Sequence, residues 1–164
     1  HIVHFGSAAA VQRLTRAPIA IHKADAAALS KGETPIPQVK SWGVLGKYLL
    51  PMVESAWRPE ATQADILFEN GYRLDAFGID AFVMHTPGHT PGSSCLVLQN
   101  QIFFAGDVFG SLPWFGPQRY YADNWAQVSD SIAAVIEMDP LWVFAGHGKP
   151  ASREKIKKIF KQKR

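Results

Sequence analysis

Hydrophobic positions along the chain change period several times, and each change marks an element. Residues 6–16 are rich in alanine, with Val11 and Leu14 three apart, which predicts a helix ended by Ala17-Pro18. Ile19-Ala20-Ile21 is a short apolar run suited to a buried strand, and residues 25–29 predict a second short helix closed near Gly32. From 33 to 63 the pattern loosens under Pro35, Pro37, Pro51 and Pro59, while Trp42, Leu45, Tyr48, Leu49, Met52 and Trp57 keep it apolar. A long connection of that kind serves as a lid over a cleft, a dimer contact or plain core packing.

The rest is strand-rich until late. Residues 66–68, 72–74 and 79–85 read as strands, with turns at Asn70-Gly71 and around Gly78. Residues 94–98 and 102–105 pair as a hairpin across Asn100-Gln101. The clearest helix is 124–138, where Trp125, Val128, Ile132, Val135 and Ile136 share one face. Residues 141–145 predict a last strand, and Ile156, Ile159 and Phe160 form the apolar stripe of a terminal helix. Strands inside and helices outside, in mixed order, predict one layered α/β or α+β domain.

Composition narrows the class. With 164 residues, 47% of them hydrophobic and 19% charged, the chain has the makeup of a folded single domain rather than of disorder. Its single cysteine excludes an internal disulfide scaffold. No apolar run approaches the roughly 18 residues of a membrane span, and no signal peptide opens the chain, so no membrane partner and a cytoplasmic location are expected. The net charge of +3 is concentrated in the tail, where seven of the 17 basic residues fall within 153–164. A solvated helix face accounts for that charge, and no nucleic-acid partner is expected. Cys95, inside an apolar strand, reads as a small buried hydrophobe rather than a nucleophile.

Candidate chemistry sits where apolar strands run into glycine-flanked polar residues. The segments are Thr86-Pro87-Gly88-His89-Thr90-Pro91-Gly92, Phe104-Ala105-Gly106-Asp107 and Phe144-Ala145-Gly146-His147-Gly148. A fourth, His1-Ile2-Val3-His4, opens the chain before a helix. Strand ends hold side chains at a sheet rim, and glycines admit close approach there. Imidazoles plus a carboxylate make a ligand set for zinc or iron. His85 is a further candidate beside the site, His22 reads as a satisfied strand-end histidine, and Trp114, Phe115, Tyr120 and Tyr121 are candidates to line a cleft.

Taken in this order, the motifs resemble the metallo-β-lactamase superfamily, nearest its glyoxalase-II-like and general hydrolase branches. Gly88-His89-Thr90-Pro91-Gly92, Gly106-Asp107 and Gly146-His147-Gly148 match three of the family motifs, and the resemblance runs from His1 through Pro150. It implies a four-layer αββα sandwich over residues 1–164, lacking the N-terminal strands, with the chain starting inside the family's His-x-His-x-Asp-His motif. It implies that His1 and His89 belong to one metal site and His4 and His147 to a second, with Asp107 bridging both as the catalytic carboxylate. Val3 stands where the family has its aspartate. A valine offers no lone pair, so the second of two expected zinc ions is weakened.

The implied activity is hydrolysis of a small-molecule thioester, lactone or other ester by a metal-bound hydroxide. Two alternatives use the same residues: a mononuclear iron oxidoreductase of the persulfide-dioxygenase kind, and a metal-deficient scaffold. Missing strands would leave a sheet edge open, which admits a homodimer.

Overall fold

The computed structural model describes residues 1–33, 38–40, 59–99, 101–110 and 115–161. The apolar residues 42–57 expected to form a lid, a dimer contact or core, and the cleft candidate Trp114, lie outside them. In chain order the helices are α1 (Ile2–Phe5), α2 (Ala8–Thr15), α3 (Ala26–Lys31), α4 (Trp125–Glu137) and α5 (Arg153–Lys161). The strands of the main sheet are β4 (Ala81–His85), β5 (Ser94–Leu98), β6 (Ile102–Gly106), β10 (Trp142–Ala145) and β11 (Ala151–Ser152), in the spatial order β11-β10-β6-β5-β4. A second pair, β1 (Ala20–His22) and β3 (Ile66–Phe68), runs parallel, and β2 (Gln38–Val39) pairs with β9 (Tyr121–Ala122). A third, β7 (Phe109–Gly110) with β8 (Gly116–Pro117), forms a small antiparallel ribbon. No helix among the described residues is long and apolar enough to cross a membrane.

Local sequence explains most of these bounds. Asn124 caps α4 with its side-chain oxygen, which accepts from the Ala126 and Gln127 amides. Gly32 closes α3 in the left-handed conformation and accepts no side chain, because a Cβ there would lie 2.6 Å from the Pro59 carbonyl oxygen. The 94–98 and 102–106 strands pair in the predicted hairpin, with Leu98 opposite Ile102. Residues 72–74, expected as a strand, are reduced to one bridge between Arg73 and Phe82. A 3₁₀ turn at Asp75–Phe77 follows at once, and Arg73 pairs with Asp75 and Asp80, so the chain turns before a ladder extends.

Alternation along the main sheet builds the core on one side. Val97, Phe103, Val143 and Ala151 fall in line across the ladder and meet Val128, Ile132 and Val135 of α4 and Ile156 of α5. Full burial of each large side chain there contributes about 1.5–3 kcal/mol. On the other side Phe104 and Phe144 stack at 5.1 Å and stay exposed, as does Trp142. The β1–β3 pair reaches that side near β4, where His22 stacks on His85.

Strand direction positions the site. β4 is antiparallel to β5, β5 is antiparallel to β6, and β6 is parallel to β10. The C-terminal ends of β4, β6 and β10 therefore emerge at one rim, and each carries a glycine-flanked motif.

Candidate metal centre

Asp107 is the hub. It follows Gly106 at the end of β6, and its side chain is 9% exposed. Its Oδ2 lies 3.0 Å from His1 Nε2, 3.0 Å from His4 Nε2, and 3.6 Å from both His89 Nε2 and His147 Nε2. The four histidines that the resemblance implies as ligands thus converge on one oxygen of Asp107. The single turn of α1 puts His1 and His4 on the same side, with ring centroids 4.5 Å apart. The rings then divide, His1 beside His89 at 5.0 Å and His4 beside His147 at 5.4 Å.

The chemistry of this donor set fits a metal. One carboxylate oxygen has two lone pairs and cannot accept from four imidazoles at once. His89 Nε2 is buried and has no hydrogen-bond partner. Its other nitrogen, Nδ1, donates to the Tyr121 carbonyl at 2.8 Å, which fixes the tautomer and leaves the Nε2 lone pair aimed at the hub. An orphaned buried acceptor is costly unless something binds it. Nothing larger than glycine fits at Gly146: a Cβ would run into Asp107 Oδ1 and stand 2.7 Å from His4 Cε1. His1, His4 and Asp107 also have the mutual spacing of a metal-binding group.

Electrostatics supports the same reading. Burial works to raise the Asp107 carboxyl, but the hydrogen bond from His4 and the charges of His4, His89 and His147 outweigh it and hold its pKa below the usual range. Burial lowers the pKa of His89 despite the Tyr121 hydrogen bond and the Asp107 charge, so the neutral, ligating form is favoured. Burial pushes the Cys95 thiol up to about 11, so it carries no thiolate at neutral pH.

Several supports have no plain sequence signal. Gln118 donates to the Asp107 backbone carbonyl at 3.0 Å and accepts from the Arg119 and Tyr120 amides, which anchors the turn after the hub. Asp25 reaches from the 3₁₀ turn Lys23–Asp25 to the loop after β4: Oδ2 accepts from Thr90 Oγ1 at 2.5 Å and Oδ1 from the Gly92 amide at 2.9 Å. Asp25 stands at the N-cap position of α3, yet its side chain makes no bond to that helix. His85 and His22 stand apart from the hub. His85 Nε2 donates to the Pro91 carbonyl at 2.8 Å, and buried His22 accepts from the Ala24 amide. Of the aromatic candidates, Tyr120 and Tyr121 line a cavity of about 630 Å³ beside the hub, while Phe115 is buried against Phe109.

A family model described as the metallo-beta-lactamase superfamily matches residues 1–147. The chain belongs to the metallo-beta-lactamase superfamily. The mixed sheet flanked by helices is that of its solved members. BLEG-1, a B3 metallo-beta-lactamase, superposes with a TM-score of 0.71 at 23% identity, covering 94% of this chain and 69% of that one. TTHA1623, crystallised in a di-iron-bound form, gives 0.67 at 20% identity, covering 95% and 70%. At these identities the likeness shows the fold. In sequence, the Homo sapiens acyl-coenzyme A thioesterase MBLAC2 is 29% identical over 112 residues, 65% of this chain. The matched region spans 38% of that thioesterase's own length.

Proposed function

We propose that this superfamily member is a metal-dependent hydrolase of an acyl thioester, with lactones and other esters as related substrates. The observation that carries this reading is the convergence of four imidazoles on Asp107 Oδ2, one of them with a buried, unpartnered nitrogen. His1, His89 and Asp107 would hold one metal, and His4, His147 and Asp107 a second, with zinc as the leading choice. A divalent metal in this set lowers the pKa of water and polarises a carbonyl oxygen, the two things ester hydrolysis needs.

The chain's own residues do the rest. Tyr121 locks the His89 ring, Gln118 fixes the backbone at Asp107, and the Asp107 carboxylate offsets the positive charge gathered there. An acyl group is favoured by the cavity beside the hub, whose lining includes Ile19, Ile21, Ala28 and Leu29. The likeness to an acyl-coenzyme A thioesterase points the same way.

The uneven burial of the two metal-holding sets favours a second reading, a mononuclear iron centre at His1, His89 and Asp107. His4 and His147 are exposed, and Val3, the residue before His4, provides no donor. Metal analysis combined with hydrolysis of an acyl-thioester series separates the readings. Zinc in the purified protein, with activity lost on chelation and restored by zinc, is the expected result. One iron per chain with oxygen consumption would replace the hydrolase by the oxidoreductase. Absence of metal under all loading conditions would leave a scaffold.

A further inference from the structure

We propose that Asp25 is a positioning residue for His89: its carboxylate clamps the chain just after the histidine and so sets where the imidazole points. This inference rests on the reading of His89 as a metal ligand. The loop that carries His89 is held from two directions. On its leading side, the Gly88 carbonyl accepts from the Asn124 amide at 2.9 Å and the His89 carbonyl from the Asp123 amide at 3.2 Å, both at the start of α4. On its trailing side Asp25 holds the Thr90 hydroxyl and the Gly92 amide, and His85 Nε2 from β4 donates to the Pro91 carbonyl at 2.8 Å between them. Ser93 completes that side from within the loop, accepting from the Thr90 amide at 2.9 Å.

Two features show that the contact is built in. A Cβ on Gly92 would stand 2.6 Å from the Asp25 Cγ, so the glycine in Pro91-Gly92 is there to let the carboxylate approach. Gly88 meets the same demand on the other side, where a Cβ would strike the Val128 backbone. The turn that presents Asp25 is itself capped, because His22 Nδ1 accepts from the Ala24 amide at 3.3 Å. The ordinary role for an aspartate before a helix is to cap it, and Asp25 makes no such bond. Its two oxygens are committed to the His89 loop. Partners that orient a metal ligand typically change affinity by about 10–100-fold when removed.

The test uses the full chain with Asp25→Ala, Asp25→Asn and, as a stability control, Val135→Ala, a truncation in the core under α4. Zinc affinity is read by competition with a chelating dye. In metal-free protein, the His89 Nδ1 proton, expected to be protected from exchange by its bond to the Tyr121 carbonyl, is read by NMR. Asp25→Ala is expected to weaken zinc about 10–100-fold and to lose the protected proton. Asp25→Asn keeps an acceptor for Gly92 and a polar partner for Thr90, so it restores both readouts without the charge. Val135→Ala lowers the thermal midpoint and leaves zinc affinity unchanged.

Wild-type zinc affinity in Asp25→Ala would overturn the proposal. So would an equal loss in Asp25→Asn, or an affinity loss in Val135→Ala as large as that in Asp25→Ala. If wild type binds no metal yet Asp25→Ala still loses the protected proton, the metal reading fails and the clamp stands.

Discussion

On one side of Asp107, His89 is 6% exposed, His1 is 19% exposed, and the His89 ring is tied through Nδ1 to a backbone carbonyl. On the other, His4 and His147 are 38% and 44% exposed, and Val3 occupies the turn between the two N-terminal histidines. Both sides contribute two imidazoles to the same carboxylate oxygen, so they match in donor count and differ in how firmly those donors are held. Pre-oriented ligands in a dry setting bind a metal more tightly than solvated ones that must first be ordered. Under the proposed function, the difference would make Asp107 a ligand shared between a strong site and a weak one.

Removing one histidine from each side gives the largest expected effect. His89→Ala should weaken the tighter-bound zinc by more than the roughly 100-fold upper range of an orienting partner, while His147→Ala should leave that ion in place and affect the looser one. Chelator titration of both variants checks this, and equal losses would break the contrast. A smaller effect is expected from Val3→Asp, which adds a carboxylate on the solvated side. Zinc per chain should rise at a fixed free-metal level while the tighter ion keeps its affinity, and an unchanged stoichiometry would show that Val3 does not limit the site.

The smallest effect is on metal-free stability against pH. His89 has a folded pKa below its unfolded value of about 6.5, so its stabilising contribution is present above that pH and is lost as pH falls through the folded value. The lowered Asp107 carboxyl contributes above its unfolded value of about 3.9 and loses that contribution at lower pH. Urea midpoints across this range should fall on acidification, with a shallower decline below about pH 6.5 in His89→Gln. An identical decline in the variant would show that burial of His89 carries no such cost.

What could be read from the sequence was what repeats or what needs a special residue. Helix α4 announced itself through apolar residues three and four apart, and the structure buries Val128, Ile132 and Val135 from that stripe. The β5–β6 hairpin was legible because five-residue strands carry alternation, whereas the two-residue strands β7, β8 and β9 carry none. Helix α1 has four residues, too few for a period, so the turn that brings His1, just before it, to the same side as His4 was not foreseen. The glycine-flanked histidines and aspartate stood out because close approach requires glycine. Tyr121 was read as a cleft-lining aromatic, but its hold on His89 was not legible, since it acts through a carbonyl that every residue has. Asp25 fell at the start of a predicted short helix, and nothing in its neighbours in sequence marks the contacts it makes to Thr90 and Gly92.

Gathering the chemistry at one rim leaves the opposite rim available. The turns that enter β4, join β5 to β6 and precede β10 lie a full strand length away, roughly 15 Å for five residues. A fluorophore or a surface tether attached at exposed Gln99 would therefore report on the whole protein, or immobilise it, without standing between a substrate and the imidazoles. The end of the sheet that does no chemistry is the end by which the molecule can be held.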